Sequence, residues 1–365
     1  MSKLFTPFKL KDVTLRNRIA VPPMCQYSAI DGVPNDWHLA HYAGMARGGA
    51  GLVIVEATGV SADGRITPGC TGIWNDAQLA EHAKIAAAIK KAGAVPGIQI
   101  GHAGMKASAN KPWEGDDHIP ANDPRAWETI APSAVAFGTD ALSRVPREMT
   151  NKDIERVQAD FVAAAERALK AGYEWLELHF AHGYLAQSFF SRHTNQRTDE
   201  YGGTAEKRGR FLLETVEAVR KVWPDNLPFT ARFGVLEYDG QDEETLQEAI
   251  ALVKKFKAAG LDFLNVSIGF STPKANIPWG PAFLAPVAER VRKETGLPVS
   301  SAWGFGLPNL AEEAVAKEHL DIVMIGRAHL ADPHWPYAAA KELGEEKAAW
   351  TLPAPYAHWL ERYRG

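Results

Sequence analysis

Two histidines and a tyrosine stand close together where an apolar run gives way to a loop. Residues 177–203 read ELHFAHGYLAQSFFSRHTNQRTDEYGG and place His179, His182 and Tyr184 within six positions. Imidazole and phenol groups can exchange protons, so these side chains either pack at the end of a strand or face a pocket and do chemistry there. A single histidine at a strand end is more often structural than catalytic. Three proton-handling side chains that face one rim favour the functional interpretation.

A recurring pattern indicates which elements must position these residues. A helical stretch ends near glycine and a β-rich run follows at once, in MARGGAGLVIVEAT, IKKAGAVPGIQI, LKAGYEWLELH, FKAAGLDFLNVS and KETGLPVSSAW. Glycine after a helix suits a left-handed C-terminal cap, and the continuous apolar runs are typical of parallel strands covered on both faces. Eight candidate strands lie near residues 18–22, 52–57, 95–100, 174–179, 228–233, 262–267, 297–302 and 321–325. Their alternation with helices predicts an α/β fold, a (β/α)8 TIM barrel; an open doubly wound sheet is the alternative.

Two segments exceed a minimal barrel. Residues 102–149, after the third strand, are rich in Pro, Gly, Trp and Asp and predict an elaborated loop or lid. The segment after Leu330 ends in WTLPAPYAHWLERYRG, an aromatic and basic tail that could cross the barrel mouth or reach a neighbouring subunit. Because no low-complexity linker divides the chain, we expect residues 1–365 to form one domain.

Composition restricts the function classes. The chain has 365 residues, with 40 basic and 44 acidic side chains and a net charge of −4, so it lacks the basic footprint of a nucleic-acid-binding protein. Apolar runs such as GLVIVEA are far shorter than the ~20 residues of a membrane helix, and the charged N-terminus has no signal-like apolar segment. Cys25 and Cys70 form neither a disulfide framework nor a zinc set. We expect a soluble cytoplasmic protein that is an enzyme.

Unusual side chains follow the predicted strands at the end where TIM barrels carry their catalytic groups. They are Cys25, Tyr27, Gln99, His179, His182, Tyr184, Arg232, Trp303 and Arg327. The fragments WGFG and IGRAHL follow the seventh and eighth strands, where barrel phosphate sites are common; glycine admits an anion to the backbone N–H groups and arginine can clamp it. No G-x-G-x-x-G follows the first strand, so a pyridine nucleotide would have to bind without a Rossmann domain.

The fragments LRNRIAVPPMCQY, HFAHGYLAQSFFS, TNQRTDEYGG and IGRAHLADP extend this pattern over nearly the whole chain. With them the sequence resembles the old yellow enzyme family of FMN-dependent ene-reductases. Within that family it is most similar to the thermophilic-like class and to xenobiotic reductase-type proteins. RTDEYGG followed by RGRFLLE is a specific match. The resemblance implies a (β/α)8 barrel that binds FMN at its C-terminal mouth. NADPH or NADH would reduce the bound flavin.

The resemblance also implies a role for individual residues. The flavin would be bound by Pro22, Pro23, Met24, Cys25, Ala57, Gln99, Arg232, Trp303, Gly304, Gly326 and Arg327. In this set Cys25 would lie at the reactive edge of the ring, Gln99 at its pyrimidine edge, and Arg327 at the phosphate.

For the substrate, the resemblance implies that His179 and His182 grip a carbonyl or nitro oxygen while Tyr184 donates a proton. Tyr27, Trp303 and Trp359 would frame the bound molecule. One departure stands in GHAGMKAS, where Met105 occupies a position at which the family often has a basic residue.

The implied reaction passes a hydride from flavin to the β-carbon of an activated alkene such as an enone, with nitro compounds and nitrate esters as further substrates. We expect a homodimer or a larger homo-oligomer and no metal. Two alternatives remain: a metal-dependent barrel hydrolase that uses His38, His41, His179 and His182, and a flavin-binding barrel without turnover. A dienoyl-CoA-reductase-like flavoprotein is rejected, because two cysteines cannot ligate a Cys₄ cluster.

Overall fold

Eight parallel strands close into a barrel, which confirms the expected fold. The structure is a computed structural model that describes residues 2–363, so the last two residues of the aromatic tail lie outside the described part. In chain order the strands are β1 (Phe8–Leu10), β2 (Val13–Leu15), β3 (Ile19–Val21), β4 (Leu52–Gly59), β5 (Val95–Gly101), β6 (Ile130–Ala131), β7 (Arg147–Glu148), β8 (Trp175–Phe180), β9 (Phe229–Gly234), β10 (Phe263–Ser267), β11 (Val299–Ser301) and β12 (Ile322–Met324). The barrel contains β3, β4, β5, β8, β9, β10, β11 and β12, in that order, with β12 paired to β3.

Helices follow the barrel strands along the chain. They are α1 (Asp36–Arg47), α2 (Asp76–Lys91), α3 (Asn151–Lys170), α4 (Leu185–Phe190), α5 (Ala205–Arg208), α6 (Arg210–Arg220), α7 (Asp242–Ala258), α8 (Ala285–Thr295), α9 (Pro308–Ala316), α10 (Arg327–Ala331), α11 (Trp335–Glu342) and α12 (Ala354–Leu360). Short 3-10 turns occupy Lys3–Phe5, Gly104–Lys106, Pro112–Glu114 and Ala348–Thr351. The described helices therefore alternate with the barrel strands as the sequence pattern predicts.

The sequence signals for helix ends hold in the structure. In each of the five fragments, one glycine just after the helix has a positive φ; these are Gly49, Gly93, Gly172, Gly260 and Gly296. Thr150 and Asp153 form the expected capping box at the start of α3, each side chain bonding the other's backbone N–H. These caps fix where each helix stops and the next barrel strand begins.

The core has two layers because successive strand residues face opposite sides of the sheet. Along β4, Leu52 and Ile54 point into the barrel, while Val53 and Val55 pack against the surrounding helices. The interior also holds polar side chains: Gln99 Nε2 and Asn265 Nδ2 donate to the two carboxyl oxygens of buried Glu177, at 2.8 and 3.1 Å. The apolar part of the barrel fixes the strands, and the polar part leads toward the mouth.

The two segments beyond the minimal barrel take defined positions. The 102–149 segment carries the paired strands β6 and β7, and its Trp127 Nε1 donates to the backbone oxygen of Asp63 at 3.0 Å. The tail forms α11 and α12, both in contact with the 3-10 turn between them. Within residues 2–363, no helix has the length and apolar character needed to cross a membrane.

Candidate active site

A cavity of about 370 Å³ opens at the C-terminal mouth of the barrel. Its walls come from the segments after β3, β8, β9, β11 and β12, and they are formed by Pro22, Pro23, Met24, His182, Arg232, Ala302, Trp303, Gly304, Phe305, Gly306, Met324, Ile325, Gly326, Arg327 and Ala328. Four of the nine side chains singled out at strand ends therefore line one cavity: His182, Arg232, Trp303 and Arg327. The predicted flavin and substrate sets did not include Ala302, Phe305, Gly306, Met324, Ile325 or Ala328.

His179, His182 and Tyr184 form one cluster beside this cavity. The His179 ring centroid lies 5.0 Å from those of His182 and Tyr184, and the latter two are 6.3 Å apart. His182 has a φ of 65°, which turns the chain sharply after β8. A Cβ at Gly101 would lie 2.9 Å from the His179 Cβ, so glycine on the neighbouring strand makes room for that ring.

The cluster is neutral at neutral pH because it is buried. Burial, followed by the nearby Arg232 charge, lowers the pKa of His179 and of His182 well below the usual value. Burial also raises the pKa of Tyr184 well above its usual value. The mouth thus offers two neutral imidazoles and a protonated phenol, groups that can donate hydrogen bonds and a proton.

Ser267, at the end of β10, holds the ring of His182. Its Oγ lies 2.9 Å from His182 Nε2 and accepts a hydrogen bond from Trp303 Nε1 at 3.4 Å. If the serine hydroxyl then donates to His182 Nε2, the imidazole proton lies on Nδ1 and remains free for a ligand. Ser267 was missed because the sixth strand was not searched for functional residues; applying the strand-end rule there would have found it.

Arg232 supplies the positive charge of the site. It lies on β9, in register between His179 on β8 and Asn265 on β10. Its side chain is buried, and its Nε has no hydrogen-bond partner among the described residues. Burial lowers its pKa, and the Glu177 carboxylate opposes that change. A buried guanidinium N–H without an acceptor is costly, so this group is suited to a polar ligand atom.

Lys106 is a second buried cation, which sequence reasoning noted only as a residual charge beside Met105. Its Nζ donates to the backbone oxygens of His182 and Phe270, at 2.8 Å each, and lies 3.9 Å from the centre of the Phe137 ring. Burial lowers its pKa to about 7, and Glu237 opposes the change. Lys106 therefore ties the loop after β8 to the loop after β10. Met105 is fully buried, and its backbone oxygen lies 3.0 Å from His118 Nε2.

An aromatic wall extends from Trp303 toward solvent. Trp279 contacts Trp303 at a ring-centroid distance of 5.5 Å and lies 6.3 Å from Phe270 and 5.6 Å from Phe283. Its side chain remains 61% exposed. Phe270, Trp279 and Phe283 lie in the long loop after β10, where neither periodicity nor a strand end marked them in the sequence.

The other expected flavin and substrate residues occupy neighbouring positions. Half-buried Cys25 follows the cavity residue Met24, and Tyr27 takes a left-handed φ of 49° and hydrogen-bonds to Cys25. Ala57 borders a narrow space that His179 and Tyr184 also line. Gln99 is buried deeper in the barrel, against Glu177. These placements agree with a ring that lies across the mouth.

The cavity walls have the features that FMN needs. A Cβ at Gly326 would lie 3.4 Å from Met24 Sδ and 3.5 Å from Pro22 Cγ, so the missing side chain leaves space between these walls. Arg327 lines the same cavity at the start of α10, and Arg232 brings an unpaired N–H. A phosphate would meet Arg327, and the polar edge of the ring would meet Arg232.

Two groups of candidates lie elsewhere. Trp359 is on α12, is 72% exposed and does not line the cavity of its own chain. His38 and His41 lie on α1, as expected, with His38 Nε2 3.5 Å from a carboxyl oxygen of Glu56. In the described part of the chain no three His, Cys, Asp or Glu residues are placed to hold a metal ion, so the hydrolase alternative has no geometric support.

Comparison with known proteins identifies relatives over the whole barrel. Residues 3–346 match the NADH:flavin oxidoreductase/NADH oxidase family. An NADPH dehydrogenase of Geobacillus thermodenitrificans is 40% identical over 343 residues, which is 93% of this chain and 94% of the relative. An NADPH dehydrogenase of Listeria monocytogenes is 40% identical over 357 residues, 97% and 98% of the two chains.

Solved structures give the same picture. Morphinone reductase in complex with tetrahydroNAD superimposes with a TM-score of 0.78 at 26% identity, and the match covers 100% of both chains. A 2-naphthoyl-CoA reductase complex superimposes with a TM-score of 0.83 at 26% identity, over 97% of this chain and 54% of that one. The similarity extends through every barrel strand that contributes to the mouth.

Proposed function

The chain belongs to the NADH:flavin oxidoreductase/NADH oxidase family, whose members are FMN- and NAD(P)H-dependent oxidoreductases, and from this premise we propose that it reduces the C=C bond of activated alkenes such as enones. The observation that carries the proposal is the cluster of neutral His179, neutral His182 and protonated Tyr184 beside the cavity. Simple flavin storage requires neither oxygen-binding donors nor an acid. Nitro compounds and nitrate esters, which also present oxygen atoms to such donors, form the wider substrate range.

When bound, FMN would supply hydride chemistry, with NAD(P)H as the reductant and the β-carbon of the alkene as the acceptor. Arg327 and the backbone around Gly304 and Gly326 would hold the phosphate. Arg232 would face the polar edge of the ring and stabilise its negative charge after reduction. Cys25 would lie near the reactive edge, where its thiol can tune the potential.

The histidine pair would orient the substrate by its oxygen atom. As hydride reaches the β-carbon, negative charge grows on the carbonyl oxygen, and two preorganised N–H donors stabilise it. Ser267 fixes the His182 ring, and the buried site keeps both rings uncharged. Tyr184 O–H would then deliver its proton to the α-carbon, which completes the net addition of two hydrogen atoms to the double bond.

The test is the visible spectrum of the purified protein during a cycle of reduction and oxidation. We expect yellow protein whose flavin absorption is bleached by anaerobic NADPH and restored by an enone. Tyr184→Phe is the matched variant, because it keeps the ring and removes the proton. Its flavin should be reduced at the normal rate, while reoxidation by the enone slows by about 10²–10⁴-fold.

Two outcomes would reject the proposal in different ways. If NADPH bleaches the flavin and no enone reoxidises it, the family chemistry is retained and the ene-reductase proposal is rejected. Unchanged enone reduction by Tyr184→Phe would remove only the role given to that tyrosine.

We also propose a homodimer or larger assembly in which Trp359 faces the substrate pocket of a neighbouring subunit. Trp359 is exposed on α12 and does not reach the cavity of its own chain. Together with Tyr27 and Trp303, it would frame the bound molecule.

A further inference from the structure

A carboxyl group that the proposed reaction does not use bonds the chain segment that directly follows the cavity residue Met24. Glu56, in the middle of β4, is completely buried. Its Oε2 accepts the backbone N–H of Gln26 at 2.8 Å, and the backbone N–H of Tyr27 also bonds to the carboxylate. A single side chain therefore holds two consecutive N–H groups of the segment that carries Cys25 and Tyr27.

Two side chains of helix α1 face the other side of this carboxyl group, and one of them donates a hydrogen bond to it. Tyr42 O–H donates to Glu56 Oε1 at 2.9 Å and accepts the Glu56 backbone N–H at 3.0 Å. His38 Nδ1 accepts the backbone N–H of Asn35 at 3.1 Å, so its proton lies on Nε2, 3.5 Å from Glu56 Oε1. Burial lowers the pKa of His38 to about 4, so this histidine is neutral when it faces the carboxylate.

No lysine or arginine in residues 2–363 forms an ion pair with Glu56, and every donor around it is uncharged. Burial consequently raises its pKa to about 7, while the bonds from Gln26, Tyr42 and Tyr27 oppose that change. The titratable groups that face it from the elements packed around it are His38, Tyr42, Cys25, Cys70 and Tyr173. None of these groups carries a positive charge at neutral pH.

Resting on the function proposed above, we propose that Glu56 is a positioning residue for the Cys25–Tyr27 segment and has an electrostatic role as well. When Glu56 is ionised, it places a negative charge behind the segment that borders the flavin, and this charge opposes reduction of the flavin. The positioning role follows from the backbone of Tyr27. Its left-handed conformation is unfavourable for a residue with a Cβ, and the bonds to Glu56 offset part of that cost.

The electrostatic role follows from what the negative charge does to a neighbour. The Glu56 charge adds to burial in raising the pKa of the Cys25 thiol, because a second anion nearby is unfavourable. Reduced flavin is also anionic and would lie against the same segment. A protonated Glu56 therefore favours reduction, and an ionised Glu56 disfavours it.

Glu56→Gln separates the two roles in the flavin-loaded protein. A carboxamide oxygen can still accept the Gln26 and Tyr27 N–H groups while its NH₂ donates to the Tyr42 oxygen, so the segment stays in place without the charge. The flavin midpoint potential, measured by reductive titration with dithionite, should rise relative to wild type at about pH 8. We expect about tenfold in the two-electron equilibrium, ~30 mV. The difference should shrink at about pH 6, where wild-type Glu56 is protonated.

Two further variants complete the test. Glu312→Gln is the matched control, because Glu312 also accepts two consecutive backbone N–H groups, from Lys3 and Leu4, at the other end of the chain. Its potential should equal that of wild type. Glu56→Ala removes both charge and support, so it should raise the potential and also weaken binding of a phenol beside Tyr27 by about fivefold to tenfold.

The proposal is overturned if Glu56→Gln and wild type have the same potential at both pH values. It is also overturned if Glu312→Gln shifts the potential as much as Glu56→Gln does. Because dithionite reduces the flavin without a nicotinamide or an enone, these results are independent of the NADPH and enone steps that test the proposed function.

Discussion

Lys106 and Glu56 hold two stretches of the barrel mouth in opposite ways. The Lys106 ammonium group donates hydrogen bonds to two backbone carbonyls, those of His182 and Phe270, and so ties two loops together. The Glu56 carboxyl group accepts hydrogen bonds from two backbone N–H groups, those of Gln26 and Tyr27, and so fixes one loop. Each of these loops contains a non-glycine residue with a φ of 49–65°. Here side chains supply the hydrogen-bond partners for backbone groups that no regular helix or strand satisfies.

The two groups differ in their electrostatic surroundings. The nearby acidic groups of Glu237 and Asp116 favour the charged form of Lys106, and its ammonium group lies on the face of the Phe137 ring. The positive charge is therefore partly compensated. Glu56 has only neutral donors. Burial brings the pKa of both this acid and this base to about 7, and the loop that carries His182 is the one held by Lys106.

The largest expected effect comes from removing a histidine at the end of β8, the strand that leads into one of the loops held by Lys106. His179→Ala should weaken binding of a phenol to the oxidised protein by about 10²–10³-fold, as for loss of one oxyanion donor. The measurement is a titration of the flavin spectrum with the phenol. His319→Ala is the matched control, because His319 pairs with Glu289 at 2.8 Å far from the mouth. Unaltered phenol affinity in His179→Ala would refute the oxyanion assignment.

A smaller effect is expected from removing the cation that holds this loop. Lys106→Met leaves the carbonyls of His182 and Phe270 without their donor, so His182 should lose its fixed position and phenol affinity should fall about tenfold. Lys257→Met is the matched control, since Lys257 Nζ also donates to two carbonyls, those of Thr295 and Gly296, at 2.9 and 3.1 Å. We expect Lys257→Met to bind the phenol normally. Equal affinities in both variants would show that Lys106 only stabilises the fold.

The comparison also separates what the sequence predicts from what only the folded chain shows. Strand and helix positions depend on local periodicity and caps, and all eight predicted barrel strands lie within two residues of the observed ones. The strand-end rule then brought His179, Arg232 and Trp303 to the mouth. Because each depends on one local element, sequence patterns were sufficient.

The supporting residues depend on long-range closure instead. Lys106 contacts backbone oxygens that are 76 and 164 positions away, and a backbone partner leaves no trace in a side-chain pattern. In the sequence, Glu56 looks like one more residue of a buried strand, because its partners on α1 contact it only in the folded chain. Trp359 was expected to frame the substrate, and its position relative to a neighbouring subunit depends on assembly, which a single sequence does not encode.

The last expected effect concerns stability, and it has opposite signs for Glu56 and Lys106. Burial raises the pKa of Glu56 from 4.5 to about 7, so between these values the folded protein keeps a proton that the unfolded chain has lost. In that window the Glu56 contribution to the free energy of unfolding decreases as pH rises. Burial lowers the pKa of Lys106 from 10.5 to about 7, so from about 7 to 10.5 the unfolded chain holds the extra proton. There the Lys106 contribution increases with pH.

Urea unfolding of wild type, Glu56→Gln and Lys106→Met across pH 4.5 to 10.5 can test these signs. The difference between wild type and variant is the informative quantity, because buried histidines such as His82 and His329 titrate in all three proteins. We expect the Glu56→Gln difference to change only below about pH 7 and the Lys106→Met difference only above it. If both differences change in the same window, the two groups titrate as one coupled pair, and the mouth is held by a single electrostatic unit rather than by two independent ones.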